Sequence, residues 1–204
     1  AIGCEAIAHA QRNAAELPAI FAASAGDGEN MHAIFEMLAN NGREVSPTRF
    51  HNSVHNAPSG YWSIATKSMA PSTSLACYDE SFVAGLIEAA TQVLANGTAV
   101  VLIAYDTPYP IPLHEKRPIS AAFGVALVLT HDRTDRSLAM LDIDILRRRK
   151  PCSPIADSQM EALRVSSPAA RSLPLLAALA SRTAGNVCIE YVAGNQLDIA
   201  VQPC

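Results

Sequence analysis

The sequence predicts an α/β fold in which helices pack on the faces of a mixed sheet. Segments with apolar residues three and four apart alternate along the chain with short, continuously apolar segments. The most apolar of these short segments, residues 99–104, has the composition of a strand buried on both faces of a parallel sheet. Half of the 204 residues are hydrophobic and 17% are charged, which suffices for one core and excludes a disordered chain. We therefore expect a single domain over residues 1–204.

Apolar spacing and turn signals predict three helices near the start of the chain, over residues 1–15, 31–40 and 48–56. A short apolar strand is expected at residues 20–24. Asn30 is a suitable N-cap for the second helix, and Ser46 followed by Pro47 is a start signal for the third. The Pro-Ser-Gly sequence at residues 58–60 is expected to end that third helix.

The middle of the chain has the clearest pattern. A strand of small residues is predicted at 72–77, and a long helix at 81–95 carries Phe82, Leu86, Ala89 and Val93 on one face. Asn96-Gly97 ends this helix before the strand at 99–104. After a proline-rich loop, the two apolar segments at 121–130 and 137–145 flank a polar turn and predict a hairpin.

The last third begins with an irregular segment that contains Pro151 and Pro154. One helix is predicted over residues 168–183. Two closing strands, residues 187–192 and 196–201, are separated by the turn sequence Ala-Gly-Asn.

Composition excludes several classes of protein. A formal charge of -4 and a pI near 5.8 disfavour a domain-wide surface for nucleic acid. The longest apolar runs fall well short of the about 20 residues that span a bilayer. No signal-peptide pattern is visible, and five scattered cysteines without a CxxC pair indicate reduced thiols rather than zinc or a disulfide framework. We therefore expect a cytoplasmic protein, and the positive mean hydropathy of +0.15 predicts an apolar surface that a partner covers.

Generic site motifs are absent. The sequence has no Walker loop, GxGxxG, HExxH or GxSxG pattern, so we expect no bound cofactor and no metal. His51 and His55 are spaced to share a helix face, and Asp142 and Asp144 alternate on a strand, but neither pair has a third ligand nearby. The basic run Arg147, Arg148, Arg149 and Lys150 is either a solvated loop or a docking site for an acidic partner.

A more specific pattern extends over residues 45–106. Its components are SPTRFHNSVHNA at 46–57, GYWSIAT at 60–66, APSTS at 70–74, SFVAGLIEA at 81–89 and VVLIAYD at 100–106, with a looser continuation in RPISAAFG at 117–124. This pattern resembles the N-terminal half of a β-ketoacyl synthase, in particular the short chain-length-factor-like proteins of aryl polyene gene clusters. The resemblance implies a thiolase-like fold, shortened to about its N-terminal half.

Catalysis in that family uses a cysteine at a strand-to-helix turn, where the helix N-terminus favours the thiolate. Counting without gaps from Pro71 places Asp79 at the nucleophile position, and Cys77 lies two residues earlier. The two histidines that stabilise the oxyanion in such enzymes have no counterpart, because no histidine follows His131. We therefore expect no catalytic residue in this chain.

The resemblance implies a chain-length-factor-type subunit that forms a heterodimer with an active ketosynthase and helps to elongate a polyene, polyketide or fatty-acyl chain on an acyl carrier protein. Five large residues are expected at the partner interface or the acyl tunnel, with core packing as the alternative: Phe50, Tyr61, Trp62, Met69 and Phe82. The basic run at 147–150 is the candidate docking site for the carrier.

Two other functions remain open. Cys77 is a candidate nucleophile of a small acyltransferase or thioesterase, with His51 or His55 as the base, and a buried apolar thiol is its alternative. The chain is also compatible with a structural scaffold that forms homodimers through a sheet edge.

Overall fold

The computed structural model describes residues 1–40, 44–147 and 151–204. The α-helices of these residues are α1 (Ile2–His9), α2 (Gly28–Asn40), α3 (Pro47–His51), α4 (Ala57–Thr66), α5 (Ser81–Asn96), α6 (Leu113–Lys116), α7 (Ser158–Ser166) and α8 (Leu173–Ser181). The strands are β1 (Ala19–Ala22), β2 (Ser72–Leu75), β3 (Val100–Asp106), β4 (Phe123–Leu129), β5 (Ala139–Arg147), β6 (Gly185–Tyr191) and β7 (Asn195–Pro203). Single 3-10 turns occupy Tyr78–Glu80, Ala169–Ser172 and Val192–Gly194.

The first sheet has the strand order β2-β1-β3-β4 and is called the mixed sheet. Strand β1 runs parallel to β2 and β3, and β4 runs antiparallel to β3. Successive side chains of β1 point to opposite faces, so that Phe21 joins a cluster with α1 while Ile20 packs with α5. The predicted mixed sheet with helices on its faces is therefore confirmed.

The second sheet is antiparallel, with the order β5-β7-β6. Helix α5 lies between the two sheets, because its buried residues form one core cluster with side chains of β1 and β3 on one side and of β6 and β7 on the other. Gly85 allows the close contact with the mixed sheet, since a Cβ there would come within 2.8 Å of Ala22 and of Leu102. The layers are thus α1 and α4, the mixed sheet, α5 and α8, and the antiparallel sheet.

The predicted hairpin at 121–145 is wrong. Strand β4 pairs with β3 in the mixed sheet, whereas β5 pairs with β7 in the antiparallel sheet. Residues 130–138 carry the chain from one sheet to the other. The paired strands have equal lengths, 7 residues in β3 and β4 and 9 residues in β5 and β7. A polar turn between two apolar segments does not by itself decide which strands pair.

The prediction that Pro58 to Gly60 only end a helix is wrong, because these residues belong to helix α4. Proline lies in the first turn of α4, where its missing N–H costs no hydrogen bond, and Ser59 and Gly60 continue the helix. Helix α7 was missed as well. Its N-cap is Asp157, whose Oδ1 accepts hydrogen bonds from the backbone N–H groups of Gln159 and Met160.

Other helix boundaries differ from the prediction. Helix α1 ends at His9 rather than near residue 15, and Gln11 follows with a left-handed φ of 51°. Helix α2 begins at Gly28, so Asn30 is not its cap; instead the carboxylate of Asp27 accepts a hydrogen bond from the Asn30 N–H. The start signal at Ser46, helix α5 with Gly97 at its end, and the closing hairpin of β6 and β7 are confirmed. Within the described residues, no helix combines the length and apolarity needed to cross a membrane.

Candidate functional site

The strand order of the mixed sheet contains a switch point between β1 and β3, which is a common position for a ligand site in α/β proteins. From β1 the chain goes to β2 on one side and then crosses to β3 on the other side. Open α/β sheets bind ligands at such a switch point, outside the carboxyl ends of the strands. Here this position lies beyond the ends of β1 and β3, where Ser24 and Asp106 meet.

The Asp106 carboxylate lies at this position and is bound by two backbone N–H groups of the chain. Its Oδ1 accepts a hydrogen bond of 2.9 Å from the Ser24 N–H, and its Oδ2 accepts one of 2.8 Å from the Ala169 N–H. Only 5% of Asp106 is exposed. Burial raises the pKa of this carboxyl, and the two backbone hydrogen bonds oppose the rise. The 3-10 turn Ala169–Ser172 is thereby fixed against the carboxyl end of β3.

Asp79 lies at the carboxyl end of β2, in the 3-10 turn before α5. The Arg117 Nη2 donates to its Oδ1 at 2.8 Å, and the Arg171 Nη2 donates to its Oδ2 at 3.0 Å. Arg171 also contacts Glu80, with 3.2 Å between Nη1 and Oε1. These four residues are called the ion-pair network. Both oxygens of the Asp79 carboxylate are therefore bound by guanidinium groups.

Tyr78 supports one of these guanidinium groups. The Cζ atom of Arg117 lies 3.5 Å from the centroid of the Tyr78 ring, a cation–π contact that leaves the N–H donors of the arginine available. The backbone of Tyr78 has a left-handed φ of 50°, which is uncommon for an aromatic residue. The turn that carries Asp79 is thus held in an unusual backbone conformation by contacts with the loop before β4.

A cleft of about 150 Å³ adjoins the ion-pair network. Its charged wall contains Asp79, Lys116, Arg117 and Arg171, and Ile119 and Val165 contribute apolar surface. Among the described residues, no group of three or more histidine, cysteine or acidic side chains has an arrangement that could hold a metal ion. The wall of the cleft carries the positive charges of Lys116, Arg117 and Arg171 and the negative charge of Asp79.

Cys77 lacks the environment of an activated nucleophile. Burial and the negative charge of Glu80 raise the pKa of its thiol, so the reactive thiolate is disfavoured at neutral pH. Its backbone N–H donates to the Ser81 Oγ at 2.9 Å, which places the cysteine before the turn rather than at the start of α5.

The histidine pair does not share a helix. His51 is the last residue of α3, and His55 lies in the turn that follows, so the predicted common helix face is wrong. Arg147 is exposed at the end of β5. Arg148, Arg149 and Lys150 lie outside the described residues.

The five large residues proposed for the interface or tunnel separate into two groups. Phe50, Tyr61 and Met69 are exposed, Met69 to 95%. Trp62 packs edge-to-face on Phe21 with 6.1 Å between the ring centroids, and Phe82 is completely buried between the sheets. Core packing, the alternative that the sequence left open, describes these last two residues.

Three residues of the site were not identified from the sequence: Asp106, Arg117 and Arg171. A carboxylate at the carboxyl end of a buried parallel strand is a recognisable signal, and Asp106, the last residue of β3, has this position. The arginines had no such signal, because their partner Asp79 lies 38 and 92 positions away in sequence.

Comparisons with known proteins place this geometry in a family context. Residues 2–190 match the family model of the β-ketoacyl synthase N-terminal domain. No curated protein matches the chain by sequence.

Among solved structures, a chain of the complex between the ketosynthase ApeO and its chain length factor ApeC from Xenorhabdus doucetiae has a TM-score of 0.68 and 22% identity, and the match covers 90% of this chain and 69% of that one. The ishigamide ketosynthase/chain length factor matches with a TM-score of 0.65 and 14% identity, over 93% of this chain and 73% of that one. The 3-oxoacyl-(acyl carrier protein) synthase III, FabH, from Pseudomonas aeruginosa PAO1 matches with a TM-score of 0.50 and 13% identity, over 100% of this chain and 84% of that one. These matches show a thiolase-like fold.

Proposed function

Because the chain belongs to the β-ketoacyl synthase family through its N-terminal domain, we propose that it is a noncatalytic, chain-length-factor-type subunit that pairs with an active ketosynthase. The observation that carries this proposal is the pair of arginine contacts made by the Asp79 carboxylate. A ketosynthase needs a thiolate at this position, and here a carboxylate stands with both oxygens bound by arginines. The nearest thiol, Cys77, has a raised pKa.

Strand β2 supplies a surface for such a partner. It is an edge strand of the mixed sheet, and its only strand neighbour among the described residues is β1. An edge of this kind presents backbone N–H and C=O groups that a strand of another chain can bind. We propose that the ketosynthase pairs here, edge to edge.

Exposed apolar side chains close to β2 support this location. Helix α4 packs on β1 and β2, and it carries Tyr61 with 53% exposure and Ile64 with 76% exposure. Met69 precedes β2 and is almost fully exposed. A patch that joins apolar side chains to a free strand edge is typical of a protein interface. Two of the matched solved structures are of a ketosynthase and its chain length factor, which agrees with a partner of this class.

We propose that the partner holds a growing polyene, polyketide or fatty-acyl chain delivered by an acyl carrier protein, while this subunit, as one cytoplasmic domain, shapes the end of the acyl tunnel. Phe50, Tyr61 and Met69 are the candidates for contact with the partner, because they are exposed. Arg147 and the basic residues that follow it are the candidates for contact with the carrier.

The proposal is tested by co-expression with a ketosynthase encoded beside this gene, followed by co-purification and an elongation assay. Ile64→Asp places a charge in the patch beside β2, and Leu94→Asp is a matched control, because Leu94 is a helical residue with 73% exposure against 76% for Ile64. We expect Ile64→Asp to abolish co-purification and Leu94→Asp to retain it. A wild-type chain that stays monomeric beside every neighbouring synthase contradicts the proposal.

The two alternative functions, a homodimeric scaffold and an enzyme that uses Cys77, predict different results with the same proteins. A scaffold forms a stable homodimer in sedimentation whether or not the ketosynthase is present. An acyltransferase or thioesterase that uses Cys77 gains the mass of an acyl group on incubation with acyl carrier substrates, and Cys77→Ala removes it. The raised pKa of this thiol predicts no such adduct.

A further inference from the structure

The ion-pair network has the geometry of an anion-binding site. Arg117 and Arg171 approach opposite oxygens of the Asp79 carboxylate, at 2.8 and 3.0 Å. Two guanidinium groups that converge on one oxyanion are a common arrangement for binding free carboxylates and phosphates. In this chain the oxyanion between them is a side chain of the protein itself.

The two arginines are held in place by contacts other than those with Asp79. The Arg117 guanidinium rests on the Tyr78 ring. Arg171 belongs to the 3-10 turn whose first residue, Ala169, is bound through its N–H to the buried Asp106, and its Nη1 also contacts Glu80. We therefore expect these contacts to keep the two arginines close together when the Asp79 carboxylate is removed.

The charge balance of the cleft depends on Asp79. Lys116, Arg117 and Arg171 provide three positive charges in the wall of the cleft, and Asp79 provides one negative charge there. Glu80 does not line the cleft but contacts Arg171 and provides a second negative charge. Without the Asp79 charge, three cations face one carboxylate, and the guanidinium groups are only 16–17% exposed. Partly buried cations without a counterion are unfavourable, so they attract an anion from solution. The cleft is open to such an anion, since the Asp79 side chain is itself 32% exposed.

We propose that the cleft over the 78–80 turn is an oxyanion-binding site that the chain's own Asp79 occupies, an autoinhibitory contact that excludes small carboxylates and phosphates. An intramolecular carboxylate competes at a high effective concentration, so a free anion binds the wild-type chain weakly. The site is formed by residues of this chain alone and does not depend on the proposed pairing with a ketosynthase.

The test compares the full-length wild-type chain, Asp79→Ala and the control Glu80→Ala, which removes a carboxylate of the same network that contacts Arg171 but not Arg117. Each protein is titrated with sodium acetate and, separately, with inorganic phosphate, against sodium chloride at equal ionic strength. Thermal unfolding and calorimetry report binding. We expect Asp79→Ala to bind acetate or phosphate at least about tenfold more tightly than the wild-type chain. One hydrogen bond between an anion and a guanidinium group is enough to lower the dissociation constant by about this factor.

Two further substitutions, Asp79→Asn and Arg171→Gln, complete the test. Asp79→Asn retains the shape of the side chain and is expected to bind acetate or phosphate more tightly than the wild-type chain, but less tightly than Asp79→Ala. It replaces Asp79→Ala in the test if that variant does not fold. Adding Arg171→Gln to either variant is expected to remove the gain. The proposal is overturned if the Asp79 variants respond to acetate and phosphate no more than to chloride, or if Glu80→Ala gains as much binding as they do.

Discussion

Asp79 and Asp106 both lie at the carboxyl ends of parallel strands of the mixed sheet, Asp79 after β2 and Asp106 at the end of β3, but their surroundings differ. Asp106 is 5% exposed and accepts hydrogen bonds from two backbone N–H groups. Asp79 has a side chain that is 32% exposed and is bound by two guanidinium groups. Both contact the 3-10 turn Ala169–Ser172, Asp106 through Ala169 and Asp79 through Arg171.

The difference shows that burial decides how much each of two identical side chains contributes to stability. A buried carboxylate that satisfies backbone donors contributes to stability, because its loss leaves those donors unpaired away from water. A carboxylate in a solvent-accessible ion pair contributes little to stability, because water and salt compete for both partners. Asp106 is therefore expected to fix the fold, and Asp79 to fix the charge and shape of the cleft.

The largest effect is expected for Asp106→Ala. The Ser24 and Ala169 N–H groups lose their acceptor in a buried position, which costs about 2 to 4 kcal/mol of the free energy of unfolding. Urea denaturation of the variant and the wild-type chain measures the difference. A loss below about 0.5 kcal/mol, the size of an ordinary surface substitution, would show that Asp106 does not stabilise the contact between the end of β3 and the turn Ala169–Ser172.

An intermediate effect is expected for Asp106→Asn, together with a dependence on pH. The amide keeps one acceptor oxygen, so the loss should be about 1 to 2 kcal/mol. Burial raises the pKa of Asp106 in the folded chain above that in the unfolded chain. The folded chain then holds the proton more tightly, and the carboxyl's contribution to stability falls as pH rises through the interval between the two values.

Denaturation across a pH series measures this effect, because titrations shared by the two chains cancel when the variant is subtracted. The stability advantage of the wild-type chain over Asp106→Asn should shrink as pH rises from the ordinary range of an aspartate and then become constant. An advantage that grows over this range would mean that the hydrogen bonds outweigh burial and lower the pKa.

The smallest effect on stability is expected for Asp79→Ala. The Asp79 side of its ion pairs is 32% exposed, so water and salt replace part of the lost interaction. The loss should be about 1 kcal/mol, below that of Asp106→Ala, and it should shrink further at high salt. The same denaturation experiment at low and high sodium chloride measures both properties. A salt-independent loss as large as that of Asp106→Ala would remove the distinction between the two aspartates.

Local patterns predicted the parts of the fold in which neighbouring residues decide the structure. Helix α5 and strand β3 follow directly from the apolar face of one and the continuous apolar run of the other. The pairing of β4 with β3 and of β5 with β7 depends on residues far apart in sequence, and the predicted hairpin was wrong for that reason. Helix α4 is not predicted because proline ends a helix in its interior but is tolerated in the first turn, where Pro58 lies.

The candidate site shows the same limit. Its position follows from the resemblance of the segment around Asp79 to a catalytic turn, which is a local property. The partners of Asp79 do not follow, since Arg117 and Arg171 come from a proline-rich loop and an alanine-rich segment that only the fold brings together. The role of Asp106 depends likewise on Ala169, 63 positions away.

Helix α5 is the layer that the two sheets share, and this has a consequence for local opening. Its side chains Phe82, Leu86 and Ala89 belong to the same core cluster as Val187, Leu197 and Ile199 of the antiparallel sheet. A sheet that separates from the helix exposes its own apolar face together with the side of α5 that faces it, so each separation disrupts the shared cluster. We expect the amides of β3, α5 and β7 to exchange with solvent deuterium through one common opening reaction, as a single cooperative unit, rather than as two units with separate protection.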